Sequence, residues 1–143
     1  MASTIDEQHL AAWRALLNTH ARITEAIERA LVAAGLPQLA WYDVLWALQS
    51  SPGKTLRMGE LAEAVTISRS GLTRLVDRIE AEGLLERRAA PTDRRAVEVA
   101  ITPDGTKLLR RMWPVYERVL RETIEASLTR QDATAVAKAL AKI

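Results

Sequence analysis

The chain has 143 residues, 48% hydrophobic and 27% charged, and a formal net charge of +2 at neutral pH. That is one domain's length, apolar enough to build a core and too short for two independent ones. It has no cysteine, which excludes disulfides, thiolate metal sites and cysteine redox switching. No apolar run approaches the ~20 residues of a membrane span, and the first residues lack the basic-then-apolar order of an export signal, so a cytoplasmic protein without membrane partners is expected.

The first helix is predicted to start at Thr4, because Thr4-Ile5-Asp6-Glu7 has the form of a capping box. Leu10, Trp13, Leu17, His20, Ile23, Ile27 and Leu31 then recur at helical spacing up to Gly35, a stop signal. Leu36-Pro37 breaks the chain. A second helix over 39–49 places Trp41, Val44, Leu45 and Leu48 on apolar positions, and Ser50-Ser51-Pro52-Gly53 reads as a loop.

Residues 56–105 are the most informative stretch. A short helix over 58–65, a tight turn and a second helix over 68–82 form the two-helix unit that places a helix in a DNA major groove. After it the pattern changes to strand alternation, with Val97, Val99 and Ile101 on one face and Glu98, Ala100 and Thr102 on the other. Between the two strands lies a polar tip, Ala89 to Arg95. Residues 54–111 hold 12 basic against 9 acidic side chains, and Arg87, Arg88, Arg94 and Arg95 flank this one hairpin. Such clustering is either a solvated face or a surface for phosphate.

Thr102-Pro103-Asp104-Gly105 then starts a helix, with Thr as cap and Pro at the first helical position. It continues through Leu108, Leu109, Met112, Val115, Val119 and Leu128, and a kink is predicted at Pro114, which removes one backbone hydrogen bond. Thr129-Arg130-Gln131-Asp132 restarts a short last helix carrying Val136, Leu140 and Ile143. The fold class is mainly α with a small β-hairpin wing (α+β). A single domain over 1–143 is divided into a winged helix-turn-helix lobe at 36–102 and long terminal helices at 1–35 and 103–143. The terminal helices keep apolar stripes with nothing left in the chain to cover them, so a homodimer built from them is expected.

On the second helix of the unit, Leu72, Leu75, Val76 and Ile79 fall at the spacing that points inward. The outward residues are Ser68, Arg69, Ser70, Thr73, Arg74 and Arg78, the hydroxyls and guanidiniums that base edges and phosphates accept; Asp77 shares their face and is positioned to draw the Arg74 guanidinium away. Gly71 is a poor helix former that either permits close approach of phosphate or has no role. At the tip, Arg94 and Arg95 project in different directions, one toward a minor groove and the other toward phosphate or the tip itself. Asp93 supports the wing by holding an arginine.

From about residue 5 onward the chain resembles the MarR family of bacterial winged helix-turn-helix transcriptional regulators. The resemblance rests on S-x-S-G-L-T-R-L-V-D-R-I-E-A-E-G-L-L-E-R (Ser68 to Arg87) and D-R-R-A-V-E-V-A-I-T-P-D-G (Asp93 to Gly105). It implies a homodimeric repressor on double-stranded DNA with a palindromic operator, released by a small aromatic or anionic effector. By position it gives Arg74 the role of the family's recognition-helix arginine and Arg95 that of its minor-groove wing arginine. It also implies a ligand pocket between dimer helices and winged lobe, for which Trp13, His20, Tyr42, Trp46, Trp113 and Tyr116 are the candidates; ordinary core and interface packing is the simpler reading of each. No enzyme, metal or cofactor is expected, because the only histidines, His9 and His20, share one helix and no phosphate-binding glycine loop occurs. The alternative function is a winged-helix dimerisation or protein-interaction module without specific DNA binding.

Overall fold

The computed structural model describes residues 4–143, with the main chain alone at Arg94. The elements run α1 (Glu7–Ala33), α2 (Leu39–Gln49), β1 (Thr55–Arg57), α3 (Met58–Ala64), α4 (Arg69–Ala81), β2 (Leu85–Ala90), β3 (Asp93–Ile101), α5 (Pro103–Leu120) and α6 (Arg130–Leu140). They cluster into two compact units, one formed by Gly35–Pro114 and the other by the residues up to Ala34 together with Val115–Ile143.

In the unit 35–114, the apolar positions of α2 and α4 supply the core. Val44, Leu45 and Leu48 of α2 are buried together with Leu61, Leu72, Val76, Ile79 and Met112. Each contributes about 1.5–3 kcal/mol relative to an exposed side chain. The sheet is three-stranded and antiparallel, ordered β1-β3-β2. β1, which the sequence pattern does not predict, follows the loop at 50–53 and pairs Thr55, Leu56 and Arg57 with Ala100, Val99 and Glu98.

That third strand overturns the predicted sorting of β3 into an apolar and a polar face. Val99 is buried, but Val97 is 45% exposed, while Glu98 and Ala100 on the other face are buried. β3 is the central strand, with both its edges paired where β1 flanks it, and pairing with β1 ends at the Arg57–Glu98 pair. The buried Glu98 accepts from Arg88 Nε at 2.9 Å, which gives its carboxylate a partner.

The other unit holds α1, the end of α5 and α6. α1 begins at Asp6 and not at Thr4: the Asp6 carboxylate accepts from the N–H groups of Gln8 and His9, both at 3.0 Å, and Glu7 is already helical. Thr4 therefore lies too far upstream to reach the free amides of the first turn. α6 has the reciprocal capping box expected of Thr129 and Asp132. α5 passes through Pro114 and keeps its α-helical assignment to Leu120, and the departure comes later, as one π turn over Arg121–Glu125. Trp13, Leu17, Val136 and Leu140 are all exposed in the single chain.

Candidate nucleic-acid interface

The turn between α3 and α4 is built from capping chemistry. Val65 is extended and closes α3 by donating to the Leu61 carbonyl, and Ser68, also extended, opens α4. The Ser68 hydroxyl accepts from the Gly71 N–H at 3.2 Å, satisfying a free donor of the first turn. A Cβ on Gly71 would stand 3.0 Å from that oxygen and 3.3 Å from Ile67 Cγ2. Gly71 thus has a local reason: it leaves room for the cap.

With Leu72, Leu75, Val76 and Ile79 buried, α4 can turn in only one way. Ser68, Arg69, Ser70, Thr73, Arg74 and Arg78 are all exposed. Thr73 donates its hydroxyl proton to the Arg69 carbonyl at 3.1 Å, so its oxygen faces outward as an acceptor. Asp77 does not take Arg74; it accepts from Arg87 Nη2 at 2.5 Å, and Arg74 has no carboxylate partner among the described residues.

Of the four hairpin arginines, two are held in ion pairs within the lobe. Arg87 on β2 is 26% exposed and bonds Asp77 and Glu80 on α4. Burial opposes its charge, but the hydrogen bonds from Asp77 and Glu80 outweigh this and hold its pKa above the ordinary arginine value. Arg88 reaches across the hairpin to Glu98. The two arginines expected at DNA lie at the tip, Arg95 exposed and the Arg94 side chain outside the described residues. Asp93 accepts from the backbone N–H of Arg95 at 2.9 Å, which fixes the main chain of the tip. A register shift at Ala89/Ala90 bends the ribbon just before it.

Three of the candidate ligand residues come together. Tyr42 stacks on Trp46 at 6.4 Å between ring centroids, and on Trp113 at the same distance. Trp46 and Trp113 are 52% and 42% exposed, so this is a partly open aromatic group and not a closed pocket. Trp13 and His20 are exposed on α1, and Tyr116 is half-buried. A cleft of about 810 Å³ lies elsewhere in the unit 35–114, lined among others by Trp41, Arg78, Glu82, Asp104, Lys107 and Arg111. Lys107 is 3.8 Å from Asp104, while Arg78 and Arg111 are in no ion pair among the described residues. Periodicity does not find such a cleft, since its cations come from α4 and α5 and meet only on folding.

A helix pair capped for a tight turn, with an antiparallel ribbon beside its second helix, defines a winged helix-turn-helix lobe. Residues 34–96 match the MarR family. The chain is 27% identical over 126 residues to the transcriptional repressor MprA of Escherichia coli K12, covering 87% of this chain and 71% of that one. Among solved structures it is similar to Sco3205, a MarR family transcriptional regulator from Streptomyces coelicolor determined in complex with DNA (26% identity, TM-score 0.85, 98% of this chain and 88% of that one). It is also similar to BpsR of Bordetella bronchiseptica, whose DNA binding is regulated by 6-hydroxynicotinic acid (25% identity, TM-score 0.79, 92% and 97%). Over residues 34–96, and in fold along nearly its whole length, the chain is therefore similar to the MarR family of transcriptional regulators. No helix among the described residues is long and apolar enough to cross a membrane.

Proposed function

We propose that this chain is a cytoplasmic, non-enzymatic transcriptional repressor that binds a palindromic operator as a homodimer and is released by a small aromatic or anionic ligand. The observation that carries the DNA-binding reading is the exposed hydroxyl and arginine face of α4, held outward by the complete burial of its other face. Ser68, Arg69, Ser70, Thr73, Arg74 and Arg78 would face the major groove, and Arg94 and Arg95 the minor groove and adjacent phosphates. The names of MprA and of the Sco3205 complex support the same reading. The homodimer is supported by the exposed Trp13, Leu17, Val136 and Leu140 on the terminal helices, apolar surface that a second copy would cover. Effector release is supported by the regulation of BpsR.

Selection of duplexes from a random library by the purified protein, followed by gel shift at several salt concentrations, tests this. A palindromic winner bound with steep salt dependence supports the repressor. Failure to enrich any duplex supports the interaction module, a reading made more serious by the internal pairing of Arg87 and Arg88.

A further inference from the structure

We infer that Arg87 is a positioning residue for DNA reading: its guanidinium fork ties the first strand of the wing to the second half of α4, so that helix and wing meet DNA as one body. The inference rests on the DNA-binding reading above.

The geometry has three parts. Arg87 Nη1 donates to Glu80 Oε1 at 2.9 Å and Nη2 to Asp77 Oδ1 at 2.5 Å. The second oxygen of Glu80 accepts from the backbone N–H of Arg87 at 2.7 Å. Asp77 and Glu80 are three residues apart on α4, hence on one face of the helix, and that face is the one turned to β2. Arg87 itself pairs with Val99 of β3, the strand that continues from the tip. A rotation of the wing about its root would stretch all three bonds at once.

The fork also acts on charge. Asp77 shares the outward side of α4 with Arg74, and an unpaired carboxylate there would repel phosphate. Arg87 supplies the compensating charge from inside the lobe, leaving Arg74 free. Lysine cannot replace it, since an ammonium is a point charge that does not span two carboxylates in a planar fork.

The test compares wild type with Arg87→Met, Arg87→Lys and Asp77→Asn, the last removing one prong while leaving the rest of the lobe unchanged. The probes are the duplex that wild type selects from a random library and a scrambled duplex of equal composition. For Arg87→Met we expect affinity for the selected duplex to fall by roughly tenfold or more, affinity for the scrambled duplex to change much less, and the salt slope to stay constant, because Arg87 touches no phosphate. Arg87→Lys should not restore the selectivity, and Asp77→Asn should lose part of it. Hydrogen exchange without DNA should show faster exchange over 85–101 in the Arg87 variants, with α1 and α6 unaltered. A salt slope lower by about one unit, with equal loss on both duplexes, would make Arg87 a phosphate contact and overturn the inference. Full rescue by lysine, or unchanged exchange in the hairpin, would overturn it too. If wild type enriches no duplex, the DNA-binding reading fails, and the exchange measurement still decides whether Arg87 couples wing to helix.

Discussion

A Cβ on Gly105 would lie 2.1 Å from the carbonyl oxygen of Leu84. The first turn of α5 and the turn that ends α4 therefore meet with no room for a side chain. Thr102 sews the same junction: its hydroxyl donates to the Gly83 carbonyl at 2.7 Å and accepts from the Gly105 N–H at 3.1 Å. Gly105→Ala should destabilise the lobe by at least the 1–3 kcal/mol or so of an overpacked site, because the obstacle is backbone and cannot rotate away. A thermal melt reads this directly, and an unchanged midpoint would count against the close approach.

The exposed arginines should separate by kind of contact. Arg95→Ala, and less severely Arg94→Ala, should weaken DNA binding and lower the salt slope by close to one unit while leaving the melting temperature unaltered. Arg74→Ala should cost selectivity between selected and scrambled duplexes, where a bidentate arginine–guanine pair contributes about 1–3 kcal/mol. Competition binding at one fixed salt concentration distinguishes the two. Equal loss on both duplexes for Arg74→Ala would make it a phosphate clamp.

We expect an anionic effector in the cleft beside Trp41 rather than on the aromatic stack, since Arg111 lines it and is in no ion pair among the described residues. Arg111→Ala should raise the concentration of aromatic acid needed to release the DNA by about tenfold or more while leaving effector-free DNA affinity intact. Trp46→Ala should have the smaller effect. A titration of the DNA complex with a panel of aromatic acids checks both, and the reverse order would return the site to Tyr42, Trp46 and Trp113.

Val136→Asp with Leu140→Asp, or removal of residues 129–143, should weaken self-association, because these exposed side chains of α6 are the apolar surface a partner would cover. Sedimentation at micromolar concentration should show twice the chain mass for wild type and a shift toward one chain for the variant. Wild type sedimenting as a single chain would refute the dimer.

Acid should loosen the ends of the terminal helices first. Asp132 accepts from the hydroxyl and the N–H of Thr129, which holds its carboxyl below the ordinary value of 3.8. Asp6 is lowered likewise, chiefly by the backbone N–H of His9. A lowered folded pKa means the contribution is complete above the unfolded value of 3.8 and lost as pH falls below it through the folded one. Exchange at the start of α6 should accelerate in that window and not above it, and Asp132→Asn should remove the pH dependence.

Much of the lobe is legible in the chain because helical periodicity and turn chemistry are local. The buried stripe of α4, the capping box of α6 and the Thr102-Pro103 start of α5 follow from residues within one or two turns of each other. What escapes depends on partners distant in sequence. Thr55-Leu56-Arg57 is too short to show alternation and becomes a strand only because β3 offers an edge, 43 positions away at the Leu56–Val99 pair. Arg87 and Arg88 look like surface cations until Asp77, Glu80 and Glu98 are brought to them. The aromatic residues were legible as apolar, but which of them stack, and that the cleft lies beside Trp41 instead, depends on how α2 meets α5.

The shortness of β1 has a mechanical result. It braces β3 only from Glu98 to Ala100, so the outer part of the hairpin, from Ala89 to Val97, is a ribbon of two strands. Two-stranded ribbons twist more readily than wider sheets. The root is stiff and the tip is compliant in torsion, and the change from one to the other falls at a single residue pair, Arg88 and Glu98. The outer ribbon can therefore turn to follow a narrower or wider surface while its root, tied through Arg87, stays with α4.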